Sequence, residues 1–396
     1  MNKLMPLIPL AAASILCTTT AQADTTLVQA LGEGTTGLNF RLRYEDVSWD
    51  GLEDASALTL RTRLTYSSGD FQGWGLALEF DDVRELDSVD YRTAGNDPMN
   101  SGAVIIADPE GTEVNQAFIR YQWGDTQARL GRQRILLDNQ RFVGGVGWRQ
   151  NEQTYDAFSI TDKSVQDTTI FYAYLDNVNR IFGELNPIGD HRHDSHLLNV
   201  KYDGLSFGAL TGYAYLLDNE SAPGLSSDTL GVRWQGVINP QLSYTLEYAT
   251  QSDAGDNPMS YSADYLLAEG AVKLGQFTVK LGYELLGSDG GAAAFATPLA
   301  TAHAFQGWTD RFLETPAAGI ENIYFTAGTA IAGVNVMVMV HDFSSDEGSV
   351  SYGQEFAFSA AKRVGPVGLL LKYADYQADD FGSDTRKLWL QAEASF

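Results

Sequence analysis

Arginine is the residue whose placement most invites a chemical reading. The chain carries 18 arginines, and 12 of them fall between Arg41 and Arg149. Arg41 and Arg43 alternate with Leu42 and Tyr44, and Arg61 and Arg63 alternate with Leu60, Thr62 and Leu64. A spacing of two puts each pair on one face of an extended strand, and adjacent strands would gather all four into a basic ladder. The guanidinium group is planar, permanently charged, and bonds carboxylates and phosphates through two parallel hydrogen bonds. Arg120, Arg129, Arg132 and Arg134 follow, then Arg141 and Arg149. The later half of the chain answers with Glu247, Glu269, Glu284 and Glu355 on the polar faces of alternating segments. A basic wall facing an acidic wall would set a field across a wet passage and orient solutes within it. The same arginines could instead pair with Glu45, Glu79 and Asp81 and neutralise the wall. Both readings stay open, at different positions.

Other chemistry has thinner support. His191, His193 and His196 lie within six residues and could bind a divalent metal through imidazole nitrogen. Their spacing matches no structural zinc pattern, and a solvated loop is the plainer reading, so no metal or cofactor is expected. The sequence holds no Gly-x-Ser-x-Gly, no His-Glu-x-x-His and no phosphate-binding glycine loop. An enzyme would have to draw its base from His191, His193, His196, His303 or His341. The excess of 51 acids over 26 bases, net charge −25, argues against a nucleic-acid partner.

The frame for these groups is legible from the period of the chain. Residues 1–23 read as a signal peptide: Lys3, then an apolar stretch, then Ala21-Gln22-Ala23 as a small-x-small cleavage pattern. The single cysteine, Cys17, falls within that segment. Residues 24–396 alternate with period two. Leu38, Phe40 and Leu42 oppose Asn39, Arg41 and Arg43; Leu388, Leu390 and Ala392 oppose Lys387, Trp389 and Gln391. About 18 such segments follow one another. Short links, at 67–71, 124–126, 162–167, 203–204, 239–240, 274–276, 332–333 and 364–366, alternate with long ones, the longest at 85–111, 139–153, 176–195 and 286–318. Short periplasmic turns and long external loops are the arrangement of an outer-membrane barrel. The fold expected is all-β: one closed antiparallel transmembrane β-barrel of about 18 strands, with apolar faces toward lipid and lipopolysaccharide. The last strand ends on Phe396, an aromatic terminus of the type read by the barrel-assembly machinery.

Two stretches carry a resemblance. One is Leu130-Gly131-Arg132-Gln133-Arg134-Ile135-Leu136-Leu137-Asp138-Asn139-Gln140-Arg141-Phe142-Val143-Gly144, with Trp148-Arg149-Gln150-Asn151 after it. The other runs from Phe295-Ala296-Thr297-Pro298 to Gly307-Trp308-Thr309-Asp310-Arg311-Phe312. Together they resemble the alginate-export-domain family of Gram-negative outer-membrane porins. The resemblance implies an 18-stranded barrel, and for polysaccharide export it would assign the basic pore to Arg129, Arg132, Arg134, Arg141 and Arg149. An acidic opposite wall departs from a pore meant for a long polyanion.

The reading that follows is a passive diffusion channel for small anionic or carboxylated solutes. The alternatives are a polysaccharide export pore, and a barrel enzyme or plugged structural barrel. Two long loops, 139–151 and 286–318, hold more apolar surface than solvated loops usually do. Phe142 and Trp148 in the first, and Phe305 and Trp308 in the second, are expected to fold inward and narrow the passage.

Overall fold

A computed structural model describes residues 26–89, 91–94 and 102–396. The expected signal peptide lies outside them. Eighteen strands form one antiparallel sheet that closes on itself. They run β1 (Thr35–Trp49), β2 (Ala55–Ser67), β3 (Trp74–Val89), β4 (Gly111–Trp123), β5 (Thr126–Gln133), β6 (Thr154–Asp162), β7 (Thr168–Asn179), β8 (Asp190–Leu205), β9 (Gly208–Leu217), β10 (Ser227–Asn239), β11 (Leu242–Asp253), β12 (Ser262–Leu274), β13 (Phe277–Leu286), β14 (Ile320–Ile331), β15 (Val334–Ser344), β16 (Ser351–Val364), β17 (Val367–Ala378) and β18 (Thr385–Ser395). Each pairs with its chain neighbours, and β18 returns to β1 with Arg41 opposite Glu393 and Leu42 opposite Ala392. The seam is completed by Leu38 and Phe396, whose backbone groups bond reciprocally at 3.0 and 2.8 Å. Closure leaves no strand edge with unpaired backbone groups, which a bilayer would not solvate.

Link lengths alternate as expected. Ala332 and Gly333 join β14 to β15 with φ of 51° and 75°, the two positive values that a two-residue hairpin matched to strand twist requires. A short helix, Leu27–Gly32, is capped by Thr26 and Gln29. It rests on this end of the barrel, where Gly69 N–H donates to the Ala30 carbonyl at 2.8 Å. Both chain ends of the barrel therefore lie at the short-turn end. No helix among the described residues is long and apolar enough to cross a membrane.

Side-chain exposure follows the strand period. Leu42 is 38% exposed and Leu390 47%, while their neighbours Arg43 and Trp389 are 1% and 0%. The apolar set faces outward and the polar set faces the lumen, the inverse of a soluble sheet and the pattern of outer-membrane barrels. One boundary differs. Residues 190–205 form a single long strand, so the segment His191–His196 is wall rather than loop, and the turn expected at 203–204 falls after Leu205. Period two persists there because His193 and Ser195 are buried while Arg192, Asp194 and His196 are exposed.

Candidate functional site

The four ladder arginines share the lumen face of β1 and β2. Arg41 stands opposite Arg61 in register. None is left without partners. Arg63 holds Asp81 through both Nε and Nη2 at 2.6 Å and Glu152 at 2.7 Å, with Glu79 3.7 Å away. Arg43 donates to Gln391 at 2.7 Å, lies 3.6 Å from Asp108, and stacks over Trp148. Arg61 donates to Asn39 at 2.8 Å, and its Nη2 is 3.7 Å from Glu393. Arg41 donates to the carbonyls of Gly147 and Arg149, each at 3.1 Å, and its Nε is 3.4 Å from Glu393. Glu393 thus separates two like charges that face each other.

Those partners reveal the loops. Segment 134–153 enters the barrel and seats against the ladder. Arg134 follows the end of β5 and reaches Glu79 and Glu152 at 2.7 and 2.5 Å. Burial works to raise the Glu152 pKa, but the flanking Arg63 and Arg134 outweigh it and hold the carboxyl down to about 2. Arg149 bonds Glu45 at 2.8 Å and Asp310 at 3.2 Å. Segment 287–319 enters from the other side. Asp310 also takes Lys387 at 2.7 Å and His303 at 2.6 Å. Trp148 stacks on His303 with the rings 3° from parallel, and Trp308 packs on Lys372. Phe142 sits among Tyr213, Tyr215, Tyr265 and Phe295, and Phe305 lies over Arg141. The two loops also bond each other: Gly144 N–H donates to Leu299 at 2.9 Å and Thr301 N–H to Gln140 at 3.0 Å.

The acids of the far wall do not form the expected acidic face. Glu284 receives Arg141 at 2.7 Å, Tyr265 at 2.9 Å and Gln306 at 3.1 Å. Glu247 takes Arg233 and the Tyr213 hydroxyl. Glu355 accepts the backbone N–H groups of Trp308 and Thr309. All three glutamates are buried. The contrast between a basic and an acidic wall is corrected accordingly: Glu284 and Glu355 anchor the inward loops and Glu247 is bonded within the wall, because a buried charge is tolerated only when it is paired or hydrogen-bonded.

Arg132 also departs from expectation. It shares the outward face of Leu130 and pairs with Asp156 at 2.9 Å and with Glu184 at 2.7 Å. Arg134 has the same parity but turns inward because β5 ends at Gln133. Arg120 and Arg129 stand opposite each other on the lumen face of β4 and β5, toward the short-turn end. Arg129 donates to Gln127 at 2.7 Å and lies over Phe118. Neither has an acid within ion-pair distance among the described residues. A polar recess of about 330 Å³ opens further round the same end, lined by Lys201, Asp203, Gln235, Thr245 and Glu269 among others.

The histidine cluster does not converge. His191 contacts Asn219, His193 contacts Ser195, and His196 contacts Tyr172. The Ser195–His193 contact, 2.9 Å, joins a serine to a potential base, but both are buried on one strand and Ser195 Oγ donates to the Asp218 carbonyl.

Five central charges were not singled out from sequence: Asp108, Glu152, Asp310, Lys372 and Lys387. The two lysines were accessible, since they stand at the lumen positions of β17 and β18 with period two.

The family model for alginate export matches residues 34–288. The chain belongs to the alginate export family. No curated protein matches it significantly in sequence. Solved structures share the fold. OccK1 (OpdK) of Pseudomonas aeruginosa superposes with a TM-score of 0.73 at 14% identity, covering 92% of this chain and 99% of that one. The same protein, described as an outer membrane protein, has been solved with vanillate, with the same TM-score and coverage. OccAB2 of Acinetobacter baumannii gives 0.69 at 18% identity, covering 93% and 99%. This alginate-export-family chain therefore has the closed 18-stranded barrel of outer-membrane proteins.

Proposed function

We propose that the protein is an outer-membrane diffusion channel for small solutes, with carboxylated or otherwise anionic ones favoured over cations. The observation that carries the reading is a division of labour among the arginines. Five arginines hold the two inward loops: Arg43 stacks over Trp148, Arg61 donates to the Gln150 carbonyl, Arg63 pairs with Glu152, and Arg141 and Arg149 reach from the first loop to Glu284 and Glu45 on the wall. Arg120 and Arg129, on the lumen wall beyond them, have no acid partner among the described residues. A loop held by several buried ion pairs is a permanent narrowing, and Phe142, Trp148, Phe305 and Trp308 belong to it. Small molecules pass such a narrowing; unpaired guanidinium groups beyond it attract anions and bind carboxylates with paired hydrogen bonds. Arg41, 11% exposed at its side chain, adds a partly screened charge at the narrowing itself.

The short-turn end faces the periplasm in this reading, and the strand ending at Phe396 is the one presented to the assembly machinery. Lipopolysaccharide meets the outward charged groups around Arg132 and Glu184. The protein performs no chemistry on its solute.

A second reading, export of an acidic polysaccharide, draws support from the family match. It requires a lumen wide enough for a chain, which the seated loops oppose. Liposome swelling separates the two. Small sugar acids should enter vesicles carrying the protein while acidic oligosaccharides do not; entry of the oligosaccharides at a comparable rate would favour export.

A further inference from the structure

The outer face carries a groove that a flat lipid-facing wall would not have. It holds about 510 Å³ of space and crosses the strands from β15–β16 to β1–β2. One edge is a row of register partners: Lys362 opposite Leu369, Leu369 opposite Ala392, and Ala392 opposite Leu42. The next row runs from Ala360 through Leu371. The groove exists because Ala360 and Ala392 are small among the leucines of these rows, so they form a floor while Leu42, Leu369, Leu371 and Leu390 form walls.

The row climbs the membrane. Lys362 lies two residues from Val364, at the short-turn end of β16, whereas Leu42 is the eighth residue of the fifteen in β1. Strands of a membrane barrel tilt by about 45°, so a row perpendicular to them rises at a comparable slope. Neighbouring strands are about 4.8 Å apart, and the three steps from β16 to β1 span roughly 14 Å. The path starts at one membrane surface and ends within the hydrocarbon core.

Its lower end is charged. Lys362 shares the outward face of Ala360, is exposed and has no ion pair among the described residues. In a chain with net charge −25 and eight lysines in all, an outward lysine at a membrane rim stands out. A lysine stem lies along apolar surface while its ammonium stays at the interface.

We propose that this groove is a binding site for an anionic phospholipid of the leaflet at the short-turn end. The headgroup phosphate meets the Lys362 ammonium, and one acyl chain lies along the rising groove. The proposal is independent of what passes through the lumen. It commits to a lipid because the groove joins an apolar channel to a cation at its interfacial end, which is the shape and charge of a single anionic lipid. A second copy of the barrel would instead need a broad complementary face and no charge at the end.

The test is native mass spectrometry of the folded full-length barrel, released from detergent in the presence of equal amounts of phosphatidylglycerol and phosphatidylcholine. Folding is checked by heat-modifiable electrophoretic mobility. The parent should retain phosphatidylglycerol over phosphatidylcholine by about five-fold, the factor expected of one basic residue near an anionic surface. Lys362→Glu should bring the ratio to about one, and Ala360→Trp, which fills the groove without touching the charge, should reduce both adducts. Equal retention by the parent, or an undiminished preference in Lys362→Glu, overturns the site. So does a stable oligomer that shields the groove and carries no lipid.

Discussion

Lys372 and His303 meet inside the barrel: Nζ of the strand lysine donates to Nε2 of the loop histidine across 2.6 Å. The other ring nitrogen, Nδ1, lies 2.6 Å from Asp310. Burial holds the imidazole down to about 3, so the ring is neutral at pH 7. A neutral ring can accept from Lys372 at one nitrogen and donate to Asp310 at the other. The loop is thus joined to the wall through a chain of hydrogen bonds that ends on a carboxylate shared by Arg149 and Lys387.

Asp310→Asn removes the charge on which that chain converges. Arg149 keeps Glu45, but Lys387 loses its ion-pair partner among the described residues. Breaking a buried pair from one side costs about 3–5 kcal/mol. Segment 287–319 should loosen while the barrel stays closed. Single-channel recordings should show higher conductance and more frequent fluctuation than in the parent. Identical traces would mean that the aromatic contacts around Phe312 and Phe295 hold the loop without it.

Acid should act in the same direction. The seated His303 has its pKa depressed from 6.5 to about 3 by burial, whereas a released loop would let it protonate normally. The released state therefore binds more protons below pH 6.5, and the seated state loses ground as pH falls toward 3. The charged groups facing the ring are Asp310, Lys372 and Arg149. Glu152 is depressed from 4.5 to about 2 because Arg63 and Arg134 outweigh the opposing effect of burial. Its stabilisation is present above pH 4.5 and is lost as pH falls through 2. Conductance measured in one bilayer at pH 7 and then at pH 4 should rise or become noisier at pH 4. A flat profile would contradict the role given to His303.

The fold was legible because period two and link length are local properties. A polar residue every second position, with short and long links in turn, specifies both the inside of the wall and the end of the barrel. The ladder Arg41, Arg43, Arg61 and Arg63 reached the lumen face for the same reason. The partners of the ladder were not legible. Asp108, Glu152 and Asp310 look like hydrated loop acids in sequence, and only the inward course of their loops brings them to arginines. Glu247, Glu284 and Glu355 show the converse: parity placed them on the lumen face, but pairing removed them from the water. Arg132 has the parity of outward Leu130, whereas the inward turn of Arg134 follows from the end of β5 at Gln133, which periodicity does not show.

The outward assignment of the apolar face has its own test. Leu281 is 61% exposed near the centre of β13. Leu281→Arg places a cation in hydrocarbon and should cost about 2–4 kcal/mol near the midplane. Urea unfolding from lipid vesicles measures it. Unfolding at the parent's urea concentration would mean that this face does not meet lipid.

Selectivity should trace to two residues. Arg120→Ala/Arg129→Ala leaves both loops seated, since neither arginine contacts them in any bond described above. Anion preference should fall toward that of an uncharged pore. The difference from the parent should shrink as salt rises, because the screening length is about 10 Å at 0.1 M and shorter above it. A double variant as anion-selective as the parent would move the selectivity to Arg41.

The most direct measurement is the current through the purified protein in a planar bilayer under a salt gradient. A narrow, anion-favouring channel predicts discrete, small conductance steps and a reversal potential on the anion side, with larger steps after deletion of residues 292–305 from the inward loop. An absence of current in the parent and the deletion alike, or a cation-side reversal potential in the parent, would contradict the account.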